Sequence, residues 1–231
     1  MNYAILLAGG SGSRTGDQTP KQFLRAGGMM MLTKAISPLI RSESVDLIWI
    51  VSSKEHEEEI LTDIRDNGLD TEKIKGFAEP GITRQHSILN GLTAIKHNSN
   101  IINEDDTVLI HDAARPFLTE SLLEYIYRAL TDQDGIMPYL PMKDTVYLTD
   151  NDRIEGRLIR SKVVAGQSPE LFRFNRYLEA NLALTQDELL SISGAAEPAL
   201  MAGMNIGLTP GLEANFKITT ADDLKKFLLM S

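Results

Sequence analysis

The sequence predicts an α/β fold built on a Rossmann-like, doubly wound, mostly parallel sheet. Three observations carry that prediction. Strand-like and helix-like segments alternate along most of the chain, the pattern of a parallel sheet wrapped by helices. The first strand-like run, Tyr3 to Ala8, is apolar throughout rather than alternating, as suits a strand covered on both faces. That run breaks into Gly9, Gly10 and Gly12, where a backbone without Cβ can come close to a ligand.

In chain order, strands are predicted at residues 3–8, 45–51, 73–77, 106–111, 135–139 and 204–209, with helices between most of them. Ser53 is placed as the N-cap of a helix whose first turn, through Glu59, is acidic and so matches the helix dipole. Arg84 to Lys96 puts Ile88, Leu89, Leu92 and Ile95 on one face, and Thr119 to Leu130 has the same amphipathic pattern. Residues 141–166 break the rhythm, because two β-type runs there flank the turn cluster Thr149-Asp150-Asn151-Asp152. This is a hairpin inserted into the α/β pattern. Either it adds a pair of strands to the main sheet, or it protrudes as an arm toward a second subunit.

Bulk properties narrow the functions. A chain of 231 residues buries a substantial single core, so one domain over 1–231 is expected, with 141–166 as its appendage. A net charge of −9 argues against nucleic acid as a main partner. No cysteine is present for a disulfide or a thiolate metal site, which fits a reducing, cytoplasmic setting. No apolar run reaches the length of a membrane span, and Met1-Asn2-Tyr3 leads straight into a strand, so neither membrane insertion nor a signal peptide is expected.

The chemistry is concentrated at strand ends. After the first strand, Gly9, Gly10 and Gly12 are followed by two cations, Arg14 and Lys21, the latter within Pro20-Lys21-Gln22-Phe23. Glycine amides and paired cations suit a polyphosphate. A dinucleotide turn would need Gly-x-Gly-x-x-Gly and an acid after the second strand, but the glycines fall at 9, 10, 12 and 16 and that strand ends in Ser52-Ser53. A Walker loop would need Gly-Lys-Ser/Thr, which does not close this turn. The second motif, His111-Asp-Ala-Ala-Arg-Pro116, follows a buried strand directly, where a carboxylate can hold a magnesium ion that bridges phosphate oxygens.

Taken in order, Leu7-Ala-Gly-Gly-Ser-Gly-Ser-Arg14, Gly81-Ile-Thr-Arg-Gln-His-Ser87, His111-Asp-Ala-Ala-Arg-Pro116, Asp144-Thr145, Gln167-Ser-Pro-Glu170 and Asn215-Phe-Lys-Ile-Thr-Thr220 make a specific series. The chain resembles the cytidylyltransferases of small polyol phosphates, above all the 2-C-methyl-D-erythritol 4-phosphate cytidylyltransferase family. The related ribitol-5-phosphate cytidylyltransferases share nearly all of these motifs. The resemblance implies a nucleotidyltransferase that moves CMP from CTP to a polyol phosphate and releases pyrophosphate, with Mg²⁺ as cofactor. It implies that Leu7, Ala8, Gly9, Gly10, Gly12, Gly81, Ile82, Ser87 and Ala113 bind nucleotide. Arg14, Lys21, Lys217 and Asp112 are then catalytic, with Asp112 also the metal ligand. Arg115, Thr145, Arg160, Ser168 and Ser193 are then assigned to the acceptor. The hairpin becomes a homodimerisation arm whose Thr145 and Arg160 serve the neighbouring subunit's site.

This sequence departs from the family pattern in places. Thr15 stands where Met is usual, Gly9 where the methylerythritol enzymes commonly have alanine, Ser168 where Thr is usual, and Glu170 where Gln is usual. Ser193-Gly-Ala-Ala-Glu197 replaces an acidic motif that helps to bind the polyol. The His-Asp-Ala-Ala-Arg-Pro segment favours methylerythritol phosphate as acceptor, whereas Leu-Ala-Gly-Gly and Pro-Lys-Gln-Phe-Leu lean toward ribitol phosphate, the alternative.

Overall fold

The computed structural model describes residues 1–10, 20–99 and 101–230. The first half of the chain forms β1 (Asn2–Leu7), β2 (Arg25–Ala26), β3 (Met29–Met30), α1 (Met31–Arg41), β4 (Leu47–Val51), α2 (Glu57–Asp66), β5 (Ile74–Ala78), α3 (Arg84–Asn98) and β6 (Thr107–Asp112). The second half opens with α4 (Glu120–Ala129), β7 (Gly135–Pro141), β8 (Tyr147–Asp150), β9 (Arg153–Arg157), β10 (Val164–Gly166) and β11 (Glu170–Arg173). It closes with α5 (Phe174–Leu182), α6 (Gln186–Ser191), α7 (Ala196–Met201), β12 (Ile206–Pro210) and α8 (Ala221–Leu229).

β1 is central, parallel to β4 on one side and to β6 on the other, and β5 extends the sheet beyond β4. Beyond β6 the sheet turns antiparallel through β11, then β7, with β12 parallel to β7 at the far edge. Ile136 pairs with both Leu171 and Gly207, and Tyr139 with both Gly166 and Pro210. β10 and β11 therefore share one edge of β7 and form a single interrupted strand. The break is at Gln167-Ser168-Pro169, where the Ser168–Pro169 peptide is cis.

Side-chain alternation explains the continuous apolar runs. Along β1, Ala4 and Leu6 enter one core with α1, α2 and α4, while Tyr3 and Ile5 enter the opposite core with α3, α5 and α7. Every residue of β6 is buried. Thr83 and Thr119 cap α3 and α4, each side chain accepting a backbone N–H from within the first turn. Ser53 does not cap through its side chain. It precedes a short 3-10 turn, Lys54–His56, and α2 begins only at Glu57, with the expected acidic first turn.

The hairpin of β8 and β9 is a separate two-stranded sheet, almost wholly exposed, whose turn places Asn151 at a φ of 49°. Only the ends of the 141–166 segment join the main sheet, with Pro141 opposite Val164. The tip thus protrudes from the main sheet, while β10 adds a strand to it.

Candidate active site

β1 and β6 are adjacent and parallel, so their carboxyl ends open side by side, the place where open α/β sheets form ligand crevices. A cavity of about 430 Å³ lies there. Its floor is Leu7, Gly9 and Gly10 from the end of β1, and its walls are Gly81 to Arg84 with Ser87 at the start of α3 and Asp112 to Ala114 after β6. Lys21 and Lys217 complete the rim. Gln22 fixes the glycine loop, its Nε2 donating to the carbonyls of Ala8 (2.7 Å) and Gly10 (2.9 Å). A Cβ on Gly9 would collide with Pro80, and one on Gly81 with His86, so both walls close in only with glycine there. The Gly81 N–H is spent on Ser87 Oγ at 3.0 Å.

Asp112 is the electrostatic centre. Arg84 donates to its Oδ1 from Nε at 3.0 Å and approaches with Nη2 at 2.9 Å, and Lys217 Nζ donates to its Oδ2 at 2.7 Å. Burial would push this carboxyl up, but Arg84 and then Lys217 hold it far below the usual carboxylate range. Asp112 is therefore ionised at any working pH. Glu170, buried on β11, lies 3.6 Å from Arg84 Nη2, and here burial outweighs the cation and pushes the carboxyl up to about 7. His111 is buried with Nδ1 3.3 Å from Ser168 Oγ, and burial, against the pull of Asp112, brings it down to about 4, so it is neutral at pH 7.

The C-terminal segment is fastened to the end of β6, which is how Lys217 reaches a carboxylate 105 residues earlier. The Ile218 N–H donates to Ala114 O at 2.8 Å, and Lys21 Nζ to Ile218 O at 2.7 Å. Arg115 donates to Asn215 O at 2.6 Å, and Asn215 Nδ2 to Ser168 O at 2.8 Å. Gln167, in the strand break, donates to Leu212 O at 3.0 Å.

The structure brings Leu7, Gly9, Gly10, Lys21, Gly81, Ile82, Ser87, Asp112, Ala113 and Lys217 onto one cavity. Gly12 and Arg14 lie outside the described residues. Ala8, Arg115 and Ser168 form no part of the cavity wall. Ala8 is buried with its N–H on Val51 O, Arg115 braces the C-terminal segment, and Ser168 Oγ accepts the Asp112 N–H at 3.2 Å. Ser193 is exposed and its hydroxyl donates to Glu197 Oε1 at 3.0 Å, the same oxygen that accepts the Ser193 and Gly194 amides. That loop folds on its own carboxylate. Thr145 and Arg160 are exposed on the arm, with Arg160 donating to Lys143 O at 3.0 Å. Arg84, Glu170 and Gln22 carry the geometry, yet sequence reasoning gave them no role. Each sits inside a motif already noted, and only their meeting in space distinguishes them.

The family model for 2-C-methyl-D-erythritol 4-phosphate cytidylyltransferase matches residues 2–229. The chain belongs to this family. Among curated relatives, it is 32% identical over 222 residues to the 2-C-methyl-D-erythritol 4-phosphate cytidylyltransferase of Rubrobacter xylanophilus, covering 96% of this chain and 90% of that one. It is 29% identical over 229 residues to the ribitol-5-phosphate cytidylyltransferase of Lactiplantibacillus plantarum, covering 97% and 96%. The bifunctional enzyme IspD/IspF of Granulibacter bethesdensis is 35% identical over 226 residues, and the chain spans about half of it, 54%. The crystal structure of the Francisella tularensis 2-C-methyl-D-erythritol 4-phosphate cytidylyltransferase superposes with a TM-score of 0.78 at 24% identity, covering 100% of this chain and 99% of that one. At that identity the likeness speaks to the fold, which is the Rossmann-like α/β architecture of this cytidylyltransferase family.

Proposed function

We propose that this chain transfers a cytidylyl group from CTP to 2-C-methyl-D-erythritol 4-phosphate. The observation that carries the reading is the placement of an ionised Asp112 between Arg84 and Lys217, on a cavity shared with Lys21 and the backbone of Gly9 and Gly10. A phosphate oxygen of the acceptor attacks the α-phosphorus of CTP, the new P–O bond forms, and the bond to the β-phosphoryl oxygen breaks as pyrophosphate leaves. The nucleophile is already anionic, so no side chain need remove a proton from it. What the protein supplies is position and positive charge where negative charge builds up. Lys21 and Lys217 provide that charge from the cavity lining, with Arg14 assigned the same task by resemblance.

Mg²⁺ is the cofactor of this reading, and the donor set fits it. Asp112 is a hard carboxylate oxygen donor on the cavity wall. Arg84 occupies Oδ1 and Lys217 one direction of Oδ2, which leaves a direction of Oδ2 open, and Mg²⁺ commonly takes one carboxylate with the rest from phosphates and water. When bound there, the ion would neutralise and orient the phosphates. A homodimer through the arm is part of the proposal, supported by the exposed Tyr147, Leu148, Ile154 and Ile159 that the arm displays. Thr145 and Arg160 would then act in the other subunit's site. The reaction is assigned to the cytoplasm, in keeping with a chain without cysteine. Among the described residues no helix is long and apolar enough to cross a membrane.

Ribitol 5-phosphate is the second reading, favoured by the Leu7-Ala-Gly-Gly10 turn and by the Lactiplantibacillus relative. Pyrophosphate release with CTP and Mg²⁺, run side by side with both acceptors, tests the pair. Preference for methylerythritol phosphate is expected, preference for ribitol phosphate selects the second reading, and silence with both overturns the two together.

A further inference from the structure

Glu170 is a buried carboxylate with no role in the chemistry above. It is 6% exposed, it is absent from the cavity wall, and its ion-pair partner is Arg84 at 3.6 Å. Arg84 does line the cavity, and it also holds Asp112. One guanidinium is thus divided between a carboxylate at the cavity, Asp112, and a carboxylate behind it, Glu170. A buried acid is costly to keep unless its charge is matched, and the fork of an arginine can serve two acceptors at once. The second anchor confines the side chain. Arg84 held by two carboxylates, both on Nη2, is less free to turn its N–H groups toward a phosphate than Arg84 held by Asp112 alone.

We propose that Glu170 is a positioning residue that acts through Arg84 to moderate the grip of the cavity on polyphosphate, CTP as it enters and pyrophosphate as it leaves. This rests on the reading of the cavity as a triphosphate site. Among the described lining residues Lys21, Arg84 and Lys217 are cationic and Asp112 is the single acid, so a polyanion meets an excess of positive charge. A site that binds the leaving pyrophosphate as tightly as the transition state gains nothing in turnover. A brake on Arg84 lowers ground-state affinity without removing the cation.

The test is a double-mutant cycle on the full-length protein, with binding of CTP and of inorganic pyrophosphate measured by titration calorimetry in Mg²⁺ and with kcat and KM determined separately. E170Q is expected to bind both ligands about tenfold more tightly, within the range of couplings found for residues that share one network. KM for CTP should fall while kcat does not rise. In the R84A background the same replacement should change affinity by less than about twofold. E170M, of similar length and without charge, serves if E170Q does not fold, and E170D, which keeps the charge, should stay near wild type. A role limited to stability would leave affinity and KM unmoved. Unchanged or weaker binding by E170Q overturns the inference, as does a tightening that persists without Arg84. Wild-type protein that binds neither CTP nor pyrophosphate overturns the nucleotide reading and this one with it, whereas normal wild-type binding with no effect of E170Q overturns this one alone.

Discussion

Replacing Glu170 by glutamine should stabilise the protein in alkaline buffer and leave it nearly unchanged in acid. Burial pushes the Glu170 carboxyl from 4.5 up to about 7, against the pull of Arg84. The folded chain therefore holds this proton more tightly than the unfolded chain. Between about pH 4.5 and pH 7 the native state binds more protons, so stability falls as pH rises through that window and stays lower above it. A change of that size corresponds to at most about 3 kcal/mol, at about 1.36 kcal/mol per pH unit. Glutamine resembles the protonated acid in shape and carries no such penalty. The assay is urea unfolding of both proteins at pH 4.5, 6 and 8, followed by the fluorescence of Trp49, the single tryptophan and a buried one. E170Q should match wild type at pH 4.5 and exceed it by up to about 3 kcal/mol at pH 8. Parallel pH curves, or an E170Q protein that is weaker at pH 8, would refute the assignment of the buried charge.

Three further outcomes are expected. Lys21→Ala should fold normally and lose about 100- to 1000-fold in turnover, because it removes a cation aimed at developing charge, and near-normal turnover in a pyrophosphate-release assay would end its catalytic role. Ser193→Ala should change KM for either acceptor by less than about twofold, as suits an exposed hydroxyl already engaged by Glu197, and a large rise in KM would return this loop to the acceptor site. Inactive Arg160→Ala and Lys217→Ala proteins, mixed and allowed to exchange subunits, should regain part of the activity if the arm serves the neighbouring site. Confirmed heterodimers without recovery would place both residues in one chain's site.

The sheet was legible because its strands advertise it. Tyr3 to Leu7 and Val108 to Ile110 are apolar on both faces since helices cover both, and a run that cannot alternate leaves few other readings. The interrupted strand was not legible. Val164 to Gly166 and Glu170 to Arg173 are three and four residues long and flank Pro169, too short and too broken for a period of two to register. Ser53 misled because a capping residue type and an acidic turn were present, but an extra 3-10 turn separates them from α2. Within the site, Lys21, Asp112 and Lys217 could be named from motifs. The link from Asp112 through Arg84 to Glu170 joins three distant stretches, and only β11 threading between β6 and β7 places the last of them. Ser193 went the other way, its local sequence suggesting substrate while its hydroxyl closes a loop on Glu197.

The arm leaves the main sheet at Pro141 and returns at Val164, and these two residues are register partners across adjacent strands. An excursion that starts and ends on the same rung is invisible to the rest of the ladder. The hydrogen bonds of β7 and β10 are the same whatever the intervening loop contains, and lengthening such a loop costs little, since closure entropy grows only with the logarithm of its length. The exposed tip is consequently a separately editable module. It can drift, shorten or lengthen over generations while Gln167, Ser168 and Glu170, a few residues downstream on the same interrupted strand, stay fixed by the sheet.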